Sequence, residues 1–416
     1  MSQDSRSGWT RREALGVLGM GAAAAMLPKF ASAADLTFPQ GAVIRTILRD
    51  YKPEELAGGV TLFHEHLSFK DDFMTRWNQY AQDTRRETAA PQGMRSPNPN
   101  VATPAARGAA GGGGASAGGA GRGVGAGAGT ARGAAPAATA QPNGFFMTDV
   151  DYMTDELVRA KKEGIGCIVD GGHPDMGRNA QFLKTISEKS GMPIVLGGGF
   201  YTQPFYPKEI STMSEEQIVR ALVKQVEDDP IGVFGEIGSW DDITADERKV
   251  FRSIGKAHLQ TNLSIFTHTG IPGKSAMEQL DLLEDAGVKP NRICIGHLGN
   301  LTPQASGDNT LGVHRAICKR GAFIGFDRQG GPGDTPQVAM VMSLIDAGYA
   351  DNLLFSADIA GVQSMEKAGG QGYAKTWTVF VPKIKAAGAS DAVLHQIMYD
   401  NPRRFLAFVP KIKRKY

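Results

Sequence analysis

The chain has 416 residues, of which 41% are hydrophobic and 21% charged, and its formal net charge at pH 7 is +2. This composition is typical of a globular protein, and the near balance of charge predicts no nucleic-acid or membrane-surface partner. Three cysteines without metal-like spacing, Cys167, Cys294 and Cys318, indicate buried free thiols rather than a disulfide framework.

Residues 1–33 are typical of an export signal. Arg11 and Arg12 precede a weakly apolar run rich in Gly and Ala, and Ala31 and Ala33 fit a signal peptidase site. The paired arginines resemble a twin-arginine signal, which carries folded proteins. We therefore expect a periplasmic or secreted protein that begins near Ala34 and has no stable membrane span after signal removal. An uncleaved anchor helix is the alternative.

A buried β-strand is predicted at residues 60–63, where Val, Thr, Leu and Phe follow two glycines. His64 and His66 come at its end. Because residues i and i+2 of an extended chain point to the same side, these two imidazoles lie side by side, as a metal ion requires. Residues 69–77, which mix polar and aromatic side chains, are predicted to form a loop.

Residues 89–142 differ in kind from the rest of the 34–416 region. Between 101 and 140 there are 13 glycines and 16 alanines, with no acidic or aromatic residue. Such a segment has too few apolar side chains to offset the entropy of ordering it, so we predict a disordered insertion. A mobile flap over a site near His66 is the alternative.

From residue 145 onward, short apolar runs alternate with helical patterns. The predicted strands after the first are 165–170, 193–199, 231–236, 263–268, 292–297, 322–327 and 352–358. Ser214 and Thr244 begin capping boxes that predict two of the intervening helices. Eight βα repeats predict an α/β protein with a (β/α)₈ TIM barrel, and an open doubly wound sheet is the alternative.

Metal-binding residue types recur where these strands end. In chain order they are His64, His66, Glu236, His268, His297 and Asp358. The four histidines among them are half of the eight in the chain. Imidazole and carboxylate ligands suit two divalent ions, Zn²⁺ first, with Mn²⁺, Co²⁺ or Fe²⁺ as alternatives. A hydroxide shared by two ions is a nucleophile at neutral pH. Asp170 and Asp327 also end strands, and we expect them to orient ligands or cap loops.

Four motifs together resemble the phosphotriesterase family of the amidohydrolase superfamily. They are Thr61-Leu-Phe-His-Glu-His66, Thr267-His-Thr269, Ile295-Gly-His297 and Ser356-Ala-Asp358. The resemblance runs from about residue 56 to residue 408, apart from the insertion. It implies a distorted barrel with a binuclear metal site at the C-terminal rim.

The resemblance also implies a division of the ligands. His64, His66 and Asp358 would hold the more buried ion, and His268 and His297 the more exposed one. Many family members bridge the two ions with a carbamylated lysine. Here the fourth strand ends in Glu236, which resembles the phosphotriesterase-related branch with a bridging glutamate. Asp358 would also accept the proton from the bridging hydroxide.

Two positions bear on the substrate. Arg328 follows Asp327 at the seventh strand, where efficient organophosphate hydrolases of the family tend to have histidine. Arg328 suits a substrate carboxylate or a polar acyl group, with a structural salt bridge as the alternative. Tyr201 follows the third strand, as in the lactonase-like branches, where a tyrosine lies beside the exposed metal.

The sequence therefore predicts a metal-dependent hydrolase that cleaves a carboxylic ester, lactone or amide in a small-molecule substrate. Asp358, Tyr201 and Arg328 are the expected catalytic residues. Phosphotriester hydrolysis is the first alternative, and a catalytically inactive metal- or ligand-binding barrel is the second. Family members are often dimers, so the resemblance also suggests a homodimer.

Overall fold

The computed structural model describes residues 36–88, 142–270, 273–331 and 333–415. The signal predicted at 1–33 lies outside the described residues. So does the insertion predicted at 89–142, apart from Pro142. Both stay predictions. Of the helices in the part of the chain that the structure describes, none has the length and apolar character needed to cross a membrane.

Within the described residues, eight parallel strands form one sheet in which each strand pairs with the next along the chain. They are β1 Val60–Glu65, β2 Ile165–Asp170, β3 Ile194–Gly198, β4 Ile231–Ser239, β5 Ile265–Thr269, β6 Ile293–Ile295, β7 Phe323–Phe326 and β8 Leu353–Phe355. The chain beyond β8 returns to β1: Asp358 N donates to His64 O at 3.2 Å, and His66 N donates to Ile359 O at 3.3 Å. The sheet thus nearly closes into the predicted barrel, and the open-sheet alternative is wrong.

Helices follow the strands along the chain; the first of them lies at the rim, and the others cover the outside of the barrel. They are α1 Phe73–Thr88, α2 Val150–Lys162, α3 Ala180–Ser190, α4 Glu215–Asp228, α5 Ala245–Thr261, α6 Ala276–Asp285, α7 Gly312–Arg320 and α8 Asp334–Asp346. The predicted capping boxes are present: the Ser214 and Thr244 side chains accept from the backbone N–H three residues on, and each is reciprocated by that residue's side chain. These reciprocal bonds satisfy backbone donors that a helix N-terminus leaves free.

The end of the barrel opposite the rim is closed by both ends of the described chain. Near the start of the described chain, the two-residue strand Ile44–Arg45 pairs antiparallel with Asp50–Tyr51. Helical segments Thr376–Phe380, Val381–Ala386, Asp391–His395, Gln396–Asp400 and Asn401–Leu406 follow β8. Phe405 and Leu406 pack with Ile44 and with inward-facing strand residues in one buried core. The three cysteines are free and buried, as predicted.

The loop predicted at residues 69–77 is wrong from Phe73 onward, because α1 begins there. Phe73, Trp77 and Ala81 are all buried, and their spacing of four residues puts them on one face of the helix. Mostly polar residues fill the positions between them, so the sequence shows no continuous apolar run there. These apolar side chains pack against residues of the barrel rim.

Glu65 fastens β1 to the chain that follows β8. Its carboxylate accepts hydrogen bonds from Ser356 Oγ at 2.7 Å, Ala357 N at 2.8 Å and Ile359 N at 2.9 Å. Burial raises the pKa of this carboxyl, and the three donors oppose that effect. Because Glu65 lies between His64 and His66, the same bonds fix the relative position of the first and last metal-ligand candidates.

We expect Glu65→Gln to lower the free energy of unfolding by about 2–3 kcal/mol, because one acceptor oxygen becomes an amide that faces N–H donors. Urea unfolding followed by circular dichroism measures the change. Glu54→Gln, on an exposed residue of the same charge, is the matched control. Equal stability of the two variants would contradict the role given to Glu65.

Candidate metal centre

The six predicted ligands converge at the C-terminal rim of the barrel. His64 lies in β1, Glu236 in β4 and His268 in β5. His66, His297 and Asp358 follow β1, β6 and β8 within three residues. The five other than Asp358 are at most 3% exposed, and the Asp358 side chain is 11% exposed. The rim position is where barrels of this class carry their active sites.

Glu236 lies at the middle of the cluster. Its Oε2 is 3.0 Å from His268 Nδ1 and 3.4 Å from Nε2 of both His64 and His297. Its Oε1 is 3.2 Å from His66 Nε2. One carboxylate thus contacts all four imidazoles, which is the position expected of a group that bridges two ions.

Asp358 contacts the histidines of β1 from the other side. Its Oδ1 is 3.1 Å from His66 Nε2 and 3.7 Å from His64 Nε2, and its Oδ2 accepts from Arg328 Nε at 3.0 Å. His64, His66 and Asp358 form one group whose ligand atoms all lie within 4.8 Å of each other. His64, Glu236 and His297 form a second. The first group matches the ligand set expected for the more buried ion.

His268 stands outside both groups but close to the second. Its Nδ1 lies 2.8 Å from His297 Nε2, and both atoms face Glu236 Oε2. Burial lowers the pKa of His268 to about 4, so its imidazole is neutral at pH 7. A neutral imidazole is the form that binds a metal ion.

Two of the converging residues have a left-handed backbone. The φ angle is 61° at His297 and 49° at Asp358, a conformation that costs free energy for any residue other than glycine. Hydrogen bonds hold both residues there: His297 N donates to Asp327 Oδ1 at 3.1 Å, and Asp358 N donates to His64 O. Strain of this kind is concentrated at functional sites.

Asp327 orients two of the imidazoles. Its Oδ2 lies 3.0 Å from His64 Nδ1, and its Oδ1 lies 2.9 Å from His297 Nδ1. A carboxylate that accepts from Nδ1–H directs Nε2 at the centre, where Nε2 can bind a metal ion once it has lost its proton. Asp170 has the other predicted kind of role, because its Oδ1 accepts from Leu67 N at 2.8 Å and so caps the chain after β1.

The electrostatics of the cluster favour cations. Burial lowers the pKa of His64, but Glu236 and Asp358 outweigh burial and raise it well above its ordinary value. The same carboxylates raise the pKa of His66 to about 9. Burial raises the pKa of Glu236, yet His64 and His268 lead the opposing effects and hold it well below its usual range. The carboxylates are therefore ionised at neutral pH and attract positive charge, protons included.

The donor set fits divalent metal ions. His64 Nε2 is fully buried and has no hydrogen-bond partner among the described residues, although it faces two carboxylates. An orphaned buried ring nitrogen is costly unless something binds it. Imidazole nitrogen and carboxylate oxygen are ligands of Zn²⁺, Mn²⁺, Co²⁺ and Fe²⁺.

Tyr201 contacts the centre from the chain after β3. Its Oη lies 3.1 Å from His268 Nδ1 and accepts from Trp77 Nε1 at 2.9 Å. Burial, then Glu236 and Asp358, raise the pKa of the phenol well above its ordinary value. Tyr201 is therefore a neutral O–H group at physiological pH.

A cavity of about 30 Å³ opens at the cluster. Its walls include four of the metal-ligand candidates, Tyr201 and Arg328, together with Phe73, Met74 and Trp77 of α1. Sequence reasoning missed the three residues of α1. The signal that could have found them is the spacing of Phe73, Trp77 and Ala81, directly after a strand that carries ligands.

Comparison with known proteins also indicates a metal-dependent hydrolase on a barrel. The model of the phosphotriesterase family matches residues 45–406. The chain belongs to the phosphotriesterase family. Its members are hydrolases that usually bind two metal ions, which agrees with the cluster at the rim.

Two kinds of curated relative are similar in sequence. The phosphotriesterase homology protein of Escherichia coli is 29% identical over 264 residues, which cover 61% of this chain and 88% of the relative. The N-acetyltaurine hydrolase of Dictyostelium discoideum is 26% identical over 282 residues, covering 63% and 75%. The human N-acetyltaurine hydrolase is 26% identical over 283 residues, covering 62% and 78%.

Two solved structures share the fold. The Escherichia coli phosphotriesterase homology protein, solved with phosphate in its active site, superposes with a TM-score of 0.62 at 24% identity, over 86% of this chain and 100% of that one. A resiniferatoxin-binding protein from Rhodobacter sphaeroides gives a TM-score of 0.65 at 24% identity, over 88% and 95%. At this level of identity the likeness supports the barrel itself.

We expect Asp327→Asn to weaken metal binding by about 10- to 100-fold, because His64 and His297 lose the carboxylate that orients them. Competition with a chromogenic chelator measures the affinity. Asp346→Asn, near the end of α8, is a control of the same chemistry far from the centre. An unchanged affinity in Asp327→Asn would contradict the orienting role.

Metal uptake should release protons. The pKa of His66 in the metal-free folded chain is about 9, above the ordinary value of 6.5. Its contribution to metal-free stability is thus fully present below pH 6.5 and lost as the pH rises through 9. Since only neutral imidazole binds a cation, metal affinity should rise with pH up to about 9. Titration calorimetry at pH 7 in two buffers of different ionisation enthalpy tests this, and heats that do not depend on the buffer would contradict it.

Proposed function

We propose that this member of the phosphotriesterase family is a metal-dependent hydrolase that cleaves the amide bond of small N-acylated acids. The family supports hydrolysis, and the donor set supports divalent metals. Arg328, Tyr201 and Asp358 support the choice of an acid and an amide.

In this proposal His64, His66 and Asp358 would hold one divalent ion, and His268, His297 and Glu236 would help to hold a second. Bound there, two divalent ions would lower the pKa of water and polarise the substrate carbonyl. Zn²⁺ is the first choice for this mixture of imidazole and carboxylate, with Mn²⁺, Co²⁺ or Fe²⁺ as alternatives.

The observation that carries the choice of substrate is the state of Arg328. Its Nε donates to Asp358, while its Nη1 is buried with no hydrogen-bond partner in the described parts of the chain. Arg328 also lines the cavity. A buried guanidinium N–H without a partner is a strong hydrogen-bond donor, and it favours an anionic oxygen as its acceptor. A carboxylate or sulfonate on the substrate would satisfy it.

Asp358 is the candidate proton acceptor because its carboxylate lines the cavity and contacts His66. Burial raises its pKa, but His64, His66 and Arg328 outweigh burial and lower the pKa far below its usual range, so the carboxylate is ionised. As water adds to the carbonyl carbon, Asp358 accepts its proton. The C–N bond then breaks, and the proton passes to the leaving nitrogen, giving a carboxylic acid and an amine.

Tyr201 can donate a hydrogen bond to the carbonyl oxygen of the substrate. Trp77 donates to the phenol oxygen, so the phenol O–H is itself available as a donor, either to His268 Nδ1, which lies 3.1 Å away, or to an oxygen in the cavity. A neutral O–H donor near the carbonyl stabilises the negative charge that develops on its oxygen when water adds.

The relatives support an amide over the other bonds. N-acetyltaurine, which names several of them, is an amide of an aminosulfonic acid. Phosphotriesters, the alternative substrates, are neutral and offer no anion to Arg328. A catalytically inactive metal- or ligand-binding barrel is the second alternative, and turnover of any substrate by the metal-loaded protein would exclude it.

Location and assembly are part of the proposal. The twin-arginine signal predicted at 1–33 would export the enzyme already folded and loaded with metal, to the periplasm or the exterior. A homodimer is expected by analogy with other family members.

Hydrolysis of a small panel tests the proposal. The panel contains N-acetyltaurine, an N-acetyl amino acid, a lactone and an aryl phosphotriester, each with metal-loaded protein in the presence and absence of chelator. We expect chelator-sensitive release of amine from the first two. Turnover of the lactone or the phosphotriester alone would overturn the choice of bond.

Arg328→Met should lower kcat/KM for an N-acetyl amino acid by at least about tenfold more than for its neutral carboxamide, because only the acid loses an ionic contact. Effects of the lost Asp358 contact fall on both substrates and cancel in the ratio. Arg248→Met removes a surface ion pair with Glu278 on the outer helices and serves as the control. An unchanged ratio in Arg328→Met would contradict recognition of the anion by Arg328.

A further inference from the structure

Three neighbouring residues of α1 form part of the cavity wall. Phe73, Met74 and Trp77 lie within little more than one helical turn, and all three line the cavity beside Tyr201. Phe73 is 4% exposed and Trp77 is 5% exposed, and Met74 is half-buried. We call these three side chains the α1 wall.

Aromatic contacts fix the α1 wall to the rim. The Phe73 ring centroid is 4.9 Å from that of Phe205 and 5.7 Å from that of Tyr201. The Trp77 ring centroid is 5.8 Å from that of Trp240, which follows β4, and Trp77 Nε1 donates to Tyr201. Tilted aromatic pairs at these distances stabilise the fold beyond the burial of their apolar surface. They therefore hold the α1 wall in a fixed position.

The α1 wall and Arg328 approach the cavity from opposite sides. The partners of the wall, Tyr201 and Phe205, belong to the chain after β3. Arg328 follows β7. In a ring of eight strands that pair in sequence order, β3 and β7 are four places apart and face each other across the mouth. The metal-ligand cluster lies between them.

The mouth is therefore polarised. One side offers a guanidinium N–H that has no partner among the described residues, and the other offers two aromatic rings and a thioether. A substrate with an anionic group at one end and an apolar acyl group at the other would match both sides, with its amide bond over the cluster.

The cavity is also small. Its volume of about 30 Å³ is room for about two water molecules. The large rings of Phe73 and Trp77 are held by their contacts with Phe205, Tyr201 and Trp240. A long acyl chain would have to displace them.

We propose that the α1 wall is the acyl-binding surface of the enzyme and restricts it to short acyl groups, acetyl or propionyl, on acids held by Arg328. This rests on the proposed amide hydrolysis and adds the residues that select the acyl group. A pocket that must exclude extra methylenes discriminates by about 10- to 200-fold.

The test is a series of N-acyl derivatives of one amino acid with acetyl, butyryl, hexanoyl and octanoyl chains. For the full-length metal-loaded enzyme, we expect kcat/KM to fall at least about tenfold from acetyl to hexanoyl. Phe73→Ala and Met74→Ala should each raise the ratio of hexanoyl to acetyl turnover by about tenfold or more.

Thr75→Ala is the matched control, since Thr75 is exposed on the same helix and lies away from the cavity. Its acyl-chain profile should equal that of the parent. Circular dichroism and metal content verify that each variant is folded and loaded. Met74→Ala, at a half-buried position, keeps the test decisive should Phe73→Ala fail to fold.

Different results would overturn the proposed function and the acyl-binding role of the α1 wall. If no N-acyl acid is hydrolysed by the parent enzyme, the proposed function is overturned, and the role of the wall with it. If the parent hydrolyses them but chain-length profiles are the same in all variants, the role of the wall alone is overturned. A parent that prefers octanoyl would also overturn it.

Discussion

The structure of the rim depends on one buried carboxylate. Glu236 contacts four imidazoles within 3.4 Å, and none of these groups has bulk water to solvate its charge. Burying a carboxylate costs several kcal/mol unless cations compensate it. Protonated His64 and His66 do so in the metal-free chain, and divalent ions would do so more fully. Each strand must end at the height that brings its ligand to Glu236, so the barrel and the centre constrain each other.

Other buried carboxylates also fix the positions of the candidate ligands. Asp327 holds two imidazoles by their outer nitrogens, and Glu65 ties β1 to the chain after β8. Asp358 is shared between His66 and Arg328. Within the described residues, this charged network leaves Arg328 Nη1 without a hydrogen-bond partner. In the proposed reaction, Arg328 would bind the anion of the substrate and also orient Asp358, the proton acceptor.

The barrel and the convergence of the six candidate ligands could be predicted from the sequence because their signals are local. An apolar run that ends in His, Glu or Asp predicts a strand and a candidate ligand at once. Glu236 in β4 is recognised in this way. The role of Glu65 could not be predicted in this way, and neither could the partners of Asp327, because each depends on residues far away in the chain. Helix α1 was missed because mostly polar residues separate Phe73 from Trp77, and only the rim supplies partners for their face.

The most direct test of the account is the metal content of Glu236→Ala beside that of the parent chain. Both are loaded, freed of excess ions by gel filtration and measured by elemental mass spectrometry, with circular dichroism to verify the fold. We expect about two ions per chain in the parent and a loss of bound metal in the variant. A folded Glu236→Ala variant that keeps two ions would contradict the central role of this carboxylate.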